Sequence, residues 1–250
     1  MTRADDTGVK TARTSFAIVE AIAELDGAGI SELARHLDRS KGGIHKHVHT
    51  LADLGYLVED DGTYRLGLGF WTLGTDVRDR LMPEQVRSII DDLAASIGHV
   101  VTLVIYESGT AAVVYSKAPA TASVQPFGDG DSLPLHATAG GKAILAYLPD
   151  SECDSVLEGD LEAYTEATLT DPQALRAALG DVRQQRLARD DGEYDPAVEC
   201  VAAPIVDSGG YPRGSVVVTS GTEELLGGTL EADASLIVSA SKSLENTMTD

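Results

Sequence analysis

The stretch that decides the fold of the N-terminal region is residues 30–57, which read ISELARHLDRSKGGIHKHVHTLADLGYL. Apolar residues recur every three or four positions on both sides of Asp38, which is typical of two helices joined by a tight turn. Ser31 and Ser40 are predicted to cap the starts of these helices, because their side-chain oxygens can accept free backbone N–H groups. Gly55 is predicted to end the second helix.

Elements on either side complete this unit. Residues 15–25 have the apolar spacing of a further helix, and two β-prone runs follow at residues 56–58 and 63–66. Asp61 and Gly62 separate the two runs and favour a hairpin turn. Three helices followed by a two-stranded hairpin describe a winged helix-turn-helix, a fold that places its third helix in the major groove of DNA.

The exposed half of the third helix supplies the candidate DNA-reading residues. Because Ile44 and Val48 must face the core, the residues left to meet base edges and phosphates are Lys41, Gly42, Gly43, His45 and Lys46. Arg65 in the hairpin is a candidate phosphate contact. The alternative is a small helical module that packs against another protein and binds no DNA.

Charge is divided unevenly along the chain. The 250 residues include 40 acidic and 19 basic side chains, and the net charge of −21 excludes a protein that coats nucleic acid over its whole surface. Residues 9–50 nevertheless hold six basic and five acidic side chains, so this segment is suited to meet a polyanion. The balance of 24 Asp against 6 Lys predicts a halophilic protein.

The remainder of the chain predicts an α+β domain. Helices are predicted over residues 68–81 (a linker helix), 83–97, 137–148, 171–187 and 230–248, and strands over residues 100–106, 111–115, 123–127, 201–206 and 214–219. Strands mixed with segregated helices favour an antiparallel sheet. The predicted domains are a winged helix-turn-helix at residues 9–67, a linker helix at 68–82 and a C-terminal domain at 83–250.

A glycine-rich stretch, AGGK at residues 139–142, has two interpretations. It fails as a nucleotide phosphate loop, because His136 and Ala143 stand where that motif requires a glycine and a serine or threonine. Either the free backbone N–H groups of a helix start bind a small anion there, or the glycines allow the helix to pack closely on a sheet.

Several motifs, taken together, resemble the IclR-type transcriptional regulators. The N-terminal part contributes ISELARHL at 30–37, KGGIHK at 41–46, LGYL at 54–57 and TYRLG at 63–67. The C-terminal part contributes LPLHATAGGKAILAYLP at 133–149, DDGEY at 190–194 and CVAAPIVD at 200–207. The resemblance therefore covers nearly the whole chain, in the family's order and spacing.

This resemblance implies a ligand-responsive, sequence-specific DNA-binding regulator of catabolic genes, in which a GAF-like C-terminal domain binds a small effector. Carried over residue by residue, it places the effector at the backbone of Ala139 and Gly140 and at Asp190, Cys200 and Thr219. It further implies homodimers and homotetramers that bind double-stranded operator DNA.

The chain departs from the family's pattern at three places. Gly42 and Gly43 replace the usual Ser-Thr pair of the recognition helix, so base contacts cannot be transferred from the family. Val217 stands where a hydroxyl residue can occur, which favours a less polar or differently oriented ligand. Arg186 replaces a glycine, so an ordinary backbone is predicted at that position.

Two other function classes stay open. Cys200, His136 and Asp190 are a conceivable nucleophile, base and orienting residue of a hydrolase or transferase, although no nucleophile-elbow motif accompanies them. The second open class is an adaptor that binds other proteins and does not bind DNA. His45 and His49 are too few ligands for a metal ion, so neither a metal nor another cofactor is predicted. The lack of a long apolar run or a signal peptide predicts a soluble, cytoplasmic protein without membrane contact.

Overall fold

The structure is a computed structural model that describes residues 8–120, 122, 127–221 and 233–248. The chain divides into two compact parts, residues 1–80 and residues 81–250, called here the N-terminal unit and the C-terminal unit. Within the described residues, no helix has both the length and the apolar character that a membrane crossing requires.

The N-terminal unit consists of helices and one hairpin, as predicted. Its elements are α1 (Lys10–Glu24), α2 (Ile30–His36), α3 (Lys41–Asp53), β1 (Leu57–Asp60), β2 (Thr63–Leu66) and all but the last residue of α4 (Leu68–Leu81). The strands β1 and β2 pair antiparallel, with Leu57 opposite Leu66. Helix α1 begins five residues before the predicted start, because the exposed and mostly polar residues 10–14 extend it beyond its buried face.

The core of this unit is built by the apolar positions that set the helical period. Ile18 and Ile22 of α1, Leu33 of α2, and Ile44 and Val48 of α3 are at most 1% exposed. Burial of five such side chains, each worth about 1.5–3 kcal/mol, is the main stabilising contribution to the packing of these helices.

The two predicted helix caps have different outcomes. The Ser40 side chain accepts the Gly43 backbone N–H at 3.3 Å, which confirms it as the N-cap of α3. The prediction for Ser31 is wrong, because the N-cap of α2 is Gly29, whose extended backbone starts the helix at Ile30. The Gly29 carbonyl accepts the first intrahelical N–H groups, and no side chain caps this end.

The hairpin turn follows from its two residues. Asp61 and Gly62 both have positive φ angles, of 49° and 78°. This left-handed pair matches the twist of the flanking strands, and Asp-Gly adopts it at low cost. The wing predicted from these residues is therefore confirmed.

The C-terminal unit has helices on both faces of an antiparallel sheet. Its helices are α5 (Glu84–Ile97), α6 (Ala139–Leu145), α7 (Asp150–Leu157), α8 (Pro172–Gln185) and α9 (Ala234–Met248), and its strands are β3 (Val100–Glu107), β4 (Thr110–Lys117), β5 (Ala188–Asp191), β6 (Val198–Val206) and β7 (Pro212–Gly221). The strand order is β4-β3-β7-β6-β5, with every neighbouring pair antiparallel. The predicted α+β fold is confirmed.

Alternate residues of the strands contribute their side chains to two separate hydrophobic cores, one on each face of the sheet. Val217 of β7 belongs to a cluster with α6, α7 and α8. Its neighbours Val216 and Val218 belong to a cluster with α5 and α9 on the opposite face. This alternation is the period of two expected for a strand, and it makes the sheet the middle layer of three.

Some predicted bounds need correction. Helix α6 is shorter than the predicted 137–148, because the Thr138 side chain caps its start and the helix ends at Leu145. Helix α7 and strand β5 were not predicted, since both are short and rich in charged residues. The predicted strand at 123–127 falls largely outside the described residues, and Phe127 lies in no strand.

Arg186 departs from the prediction of an ordinary backbone. Its φ is +56°, in the left-handed region, where it terminates α8 through a backbone N–H donated to Val182. The prediction is wrong because long-range contacts hold the strained residue. The guanidinium pairs with Glu245 of α9 at 2.5 Å and lies 5.6 Å from the ring centre of Tyr147.

Candidate functional site

Helix α3 presents one face to the core and the other to solvent. Ile44 and Val48 are fully buried, while Lys41, Gly42, Gly43, His45 and Lys46 are exposed. The helix is held in place by its buried side chains and by a 2.8 Å hydrogen bond between the Ser15 hydroxyl and His47 Nδ1. The candidate DNA-reading residues of α3 therefore share one open surface.

Histidines extend this surface beyond the predicted residues. The rings of His45 and His49 lie 4.1 Å apart, and His49 meets Tyr64 of the wing edge-on at 6.3 Å. His49 was not among the predicted contacts, although its spacing of four residues from His45 places both rings on the same helix face. These ring contacts connect the exposed face of α3 to the wing.

The two glycines of α3 have different surroundings. A side chain at Gly42 would meet nothing within 4 Å, so packing does not require a glycine there. At Gly43 an added Cβ would lie 3.1 Å from Ser40 Oγ, the atom that caps the helix. The helix surface at Gly42 is therefore open, and a ligand can come close to the backbone there.

Arg65 lies on the wing beside the turn that follows α1. Its guanidinium is 3.9 Å from Asp60 and its side chain is 53% exposed, so this ion pair is weak and solvent-screened. The aliphatic part of Arg65 passes over Gly27, where an added Cβ would come within 3.1 Å of Arg65 Cγ. Arg65 is available to a phosphate at the α1 C-terminal end of the N-terminal unit.

In the C-terminal unit, three of the predicted effector residues form a row across neighbouring strands. Asp190 of β5 is opposite Cys200 of β6, and Cys200 is opposite Thr219 of β7. Cys200 Sγ and Thr219 Oγ1 are 3.3 Å apart, and all three side chains are at most 2% exposed. The row lies on the sheet face that carries α6, since Cys200 and Val217 belong to the α6 cluster.

The start of α6 packs directly on this face. Thr138 Oγ1 accepts the Gly141 N–H at 3.0 Å and so caps the helix. An added Cβ at Gly140 would lie 2.8 Å from Val217 Cγ2, and one at Gly141 would lie 2.5 Å from the Pro134 carbonyl. Close packing on Val217 and on the Pro134 carbonyl therefore accounts for both glycines.

Asp190 lies in a buried network of charged groups. Burial raises the pKa of its carboxyl to about 6, against the opposing effects of the Glu193 backbone N–H and the Lys142 ammonium. The Glu193 N–H donates to Asp190 Oδ1 at 2.6 Å. Lys142 of α6 forms a buried ion pair with Glu193, whose second oxygen, Oε2, has no hydrogen-bond partner among the described residues.

Nucleophilic chemistry at Cys200 is not supported by its surroundings. Burial raises the pKa of the thiol to about 12, so the thiolate that a nucleophile requires is scarce at neutral pH. His136 bonds the Glu162 carbonyl through Nε2 at 2.9 Å, while Cys200 contacts Thr219. The conceivable nucleophile and base are therefore each bonded elsewhere.

A chain of aromatic rings, which sequence reasoning did not identify, adjoins this network. Phe127 lies 5.4 Å from Tyr194, Tyr194 lies 4.9 Å from Tyr164, and Tyr164 lies 6.0 Å from His136, all measured between ring centres. Tyr194 follows Glu193 directly in the chain. These rings supply apolar surface next to the charged groups.

An open cleft of about 610 Å³ lies elsewhere in the C-terminal unit and is lined by Tyr147, Arg183, Tyr211 and neighbouring residues. It contains none of the predicted effector residues. Metal binding has no cluster to support it either, since the described residues include no group of three or more His, Cys, Asp or Glu side chains suited to an ion.

Comparison with known families decides the identity of the two units. Residues 12–61 match the IclR helix-turn-helix domain, and residues 77–244 match the C-terminal domain of the bacterial transcriptional regulator IclR. The chain belongs to the IclR family. As an IclR-family protein it is a ligand-responsive, DNA-binding transcription regulator.

Individual relatives agree with this placement. The chain is 34% identical over 202 residues to the glycerol operon regulatory protein of Streptomyces coelicolor, covering 79% of this chain and 78% of the relative. It is 32% identical over 210 residues to the probable HTH-type transcriptional regulator ArcR of Halobacterium salinarum, covering 81% of this chain and 80% of the relative.

The fold agrees with solved IclR-family structures. A putative IclR transcriptional regulator from a Silicibacter species is 25% identical, with a TM-score of 0.83 and 96% coverage of both chains. An IclR homologue from Microbacterium hydrocarbonoxydans, solved with 4-hydroxybenzoate, shares the fold at 20% identity with a TM-score of 0.75, over 94% of this chain and 98% of that one.

Proposed function

We propose that this IclR-family regulator controls catabolic genes by coupling a small metabolite to operator binding. Residues 9–67 read the DNA, residues 68–82 form a linker helix, and residues 83–250 bind the effector. The observation that carries this proposal is the open face of α3, which exposes Lys41, His45 and Lys46 in a chain whose net charge is −21. Lys41, Gly42, Gly43, His45, Lys46 and Arg65 are the proposed DNA contacts.

The effector is proposed to bind at the row of strand residues beside α6. The site is formed by the backbone of Ala139 and Gly140 and the side chains of Asp190, Cys200 and Thr219. The hydroxyl and the carboxyl supply polar contacts, and Val217 supplies an apolar wall. A small hydroxylated or carboxylic metabolite matches this combination, because its hydroxyl can bond the carboxyl while its carbon skeleton packs on Val217.

Self-association is proposed through helix α4. None of its residues is buried, and Leu68, Trp71, Leu73 and Val77 are 81%, 69%, 50% and 46% exposed. A second copy is the proposed occupant of this apolar face, since a two-fold operator requires two recognition helices. Trp71→Glu should therefore convert the dimer to a monomer in sedimentation analysis and weaken operator binding, while Trp71→Phe should do neither.

The DNA-binding proposal is tested by gel retardation. The purified protein is mixed in molar KCl with duplexes from upstream of its own gene and from adjacent operons, with random-sequence DNA as competitor. Specific retardation is expected, and absence of binding by the folded protein to every duplex would contradict the proposal. Small acids and polyols are then screened for release of the bound DNA, and Thr219→Val should abolish the release while leaving DNA binding intact.

The alternatives have less support. The raised pKa of the Cys200 thiol and the separate bonding of His136 weigh against a hydrolase or transferase, so the protein is proposed not to be an enzyme. A protein-interaction adaptor that does not bind DNA would leave the exposed basic face of α3 unexplained. A cytoplasmic location follows from the proposed binding to operator DNA. The relative from Halobacterium salinarum supports the proposal of a halophilic protein.

A further inference from the structure

The N-terminal unit contains a basic concavity that the proposed contacts of α3 and the wing do not include. It has a volume of about 290 Å³ and lies between the start of α1 and the turn that precedes α3. Lys10, Arg13 and Arg39 line it together with the neutral residues Gly8, Thr14 and Leu37. No acidic side chain belongs to the lining.

The three cations of the concavity have no internal partners. Within the part of the chain that the structure describes, the side chains of Lys10, Arg13 and Arg39 make no ion pair or hydrogen bond, and all three are exposed. By contrast, Arg176, Arg186 and Arg213 of the C-terminal unit each pair with a carboxylate. Three unpaired cations thus share one lining in a chain that has 40 acidic and 19 basic residues.

The position of two of these cations is electrostatically unfavourable for the isolated helix. Lys10 and Arg13 occupy the first turn of α1, where no acidic residue is present and no side chain caps the helix. Positive charge at a helix N-terminus opposes the helix dipole. An external anion would offset this repulsion, because it would meet both the cations and the positive end of the dipole.

The concavity adjoins the recognition helix. Arg39 directly precedes Ser40, the N-cap of α3, and its backbone N–H is fixed to the Ala34 carbonyl at 2.9 Å. When α3 enters the major groove by its N-terminal end, Arg39 lies just outside the residues that reach the base edges. Arg39 is therefore placed to meet the DNA backbone instead of the base edges.

The opposite end of α1 carries the other basic position. Arg65 passes over Gly27, which lies just beyond the C-terminal end of α1. A helix of 15 residues is about 22 Å long, so Arg65 and the concavity are separated by roughly that distance. The concavity is therefore a site separate from Arg65, and the two are placed to contact different phosphates of the duplex.

We propose that Lys10, Arg13 and Arg39 form a phosphate clamp that holds the DNA backbone on the opposite side of the major groove from Arg65. The partner is the phosphodiester backbone of duplex DNA, and the contacts are independent of base sequence. This inference rests on the proposed operator binding through α3. It adds a second anchored strand, which fixes the angle at which α3 enters the groove.

The test measures how DNA affinity depends on salt. The probes are a duplex selected from a random library by the wild-type protein and an unselected duplex of the same length. Affinities are measured over a series of KCl concentrations in which the protein stays folded. The variants are Lys10→Gln, Arg13→Gln and Arg39→Gln, singly and together, with Arg13→Lys and Arg39→Lys as variants that keep the charge. Lys242→Gln, an exposed lysine of α9, is the matched control for loss of one positive charge.

If the clamp exists, each Gln variant weakens binding to both duplexes by the same factor, and the log–log salt slope falls by about 0.9 for each contact removed. The triple variant then loses about 2.7 of the slope, while the Lys variants and Lys242→Gln keep the wild-type slope. The far-ultraviolet circular dichroism of every variant should match that of the wild type.

Three results would overturn the clamp, and they differ from a failure of the proposed function. A wild-type salt slope in the triple variant, with operator binding preserved, removes the clamp alone. Saturable binding of inorganic phosphate that the triple variant loses without a change of salt slope reassigns the concavity to a free anion. If the folded wild-type protein retards no duplex, operator binding itself fails and the clamp with it.

Discussion

Cys200 Sγ lies 3.3 Å from Thr219 Oγ1, on neighbouring strands in the middle of the C-terminal unit. The contact closes off the thiol, since both side chains are at most 2% exposed. Because burial raises the pKa of Cys200 to about 12, the group is a neutral thiol at neutral pH. Its chemistry is that of a small, buried, polarisable side chain and not that of a nucleophile.

Slow alkylation of Cys200 is the first prediction. At pH 8 a thiol with a pKa near 12 is ionised to only about one part in ten thousand, and burial further restricts access. In a Cys153→Ala background, iodoacetamide should therefore label the native protein at least about 1,000-fold more slowly than the urea-unfolded protein. Fast labelling of the native state, followed by mass spectrometry, would contradict a buried neutral thiol.

Stability should depend on pH through Asp190. Folding raises the pKa of this carboxyl from 3.8 to about 6, so between these values the native state holds a proton that the unfolded state has lost. The stabilisation is full below pH 4 and is lost as the pH rises through 6, and a shift of this size corresponds to about 3 kcal/mol.

Asp190→Asn imitates the protonated carboxyl and should remove this dependence. The variant is expected to be more stable than the wild type at pH 8 and equal to it near pH 4, by urea denaturation. The exposed neighbour Asp191 provides the control, since Asp191→Asn should leave the difference between the two pH values unchanged. A wild-type protein whose free energy of unfolding is flat between pH 4 and 7 would refute the raised pKa.

The close approach of α6 to the sheet predicts a cost for Gly140→Ala. The added Cβ would lie 2.8 Å from Val217 Cγ2, so the helix or the valine must move, at a cost of about 1–3 kcal/mol in unfolding free energy. Val217→Ala in the same chain should recover much of this loss, because it removes the clashing methyl groups. Additive losses in the double variant would disprove the contact.

Gly42→Ala is the control for this pair. A side chain at Gly42 meets nothing within 4 Å, so alanine should stabilise α3 by up to about 1 kcal/mol through its higher helix propensity. The opposite signs expected for two glycine substitutions in helices distinguish packing from propensity. Both are measured by thermal and urea unfolding of the whole chain.

Operator recognition should respond differently to two substitutions on α3. Gly42→Leu adds bulk where the helix surface is open, so it should weaken operator binding at least about tenfold and change random-DNA binding little. Lys46→Ala removes an exposed cation and should weaken both by the same factor. Competition gel retardation measures both effects, and equal losses on the two DNAs for both variants would defeat this assignment of α3.

Much of the N-terminal unit could be predicted because its signals are local. The Asp61-Gly62 turn, the Ser40 cap and the apolar period of α3 each need only a few neighbouring residues. The cap of α2 was misplaced for the same reason, because Ser31 is a better capping residue than Gly29 in isolation and the packing of the unit decides otherwise.

The C-terminal unit depends more on contacts that are distant in sequence. The left-handed backbone of Arg186 is held by Glu245, which lies 59 residues away, so the local sequence gives no sign of it. Resemblance placed Asp190, Cys200 and Thr219 at one site, and only the strand register shows them in one row. The rings near Tyr194 were missed because their partners come from separate segments.

The charge division between residues 9–50 and the remainder of the chain affects how DNA is met and not only how it is held. Residues 51–250 together carry a net charge of −21 and repel a duplex at long range, so electrostatics favours first contact at residues 9–50, and Arg65 of the wing meets the duplex only after this first contact. At low salt this repulsion therefore selects the orientations in which the protein and the duplex first collide. At 1 M salt the Debye length is only about 3 Å, so this long-range selection is lost. Shape complementarity and short-range contacts then determine the bound orientation.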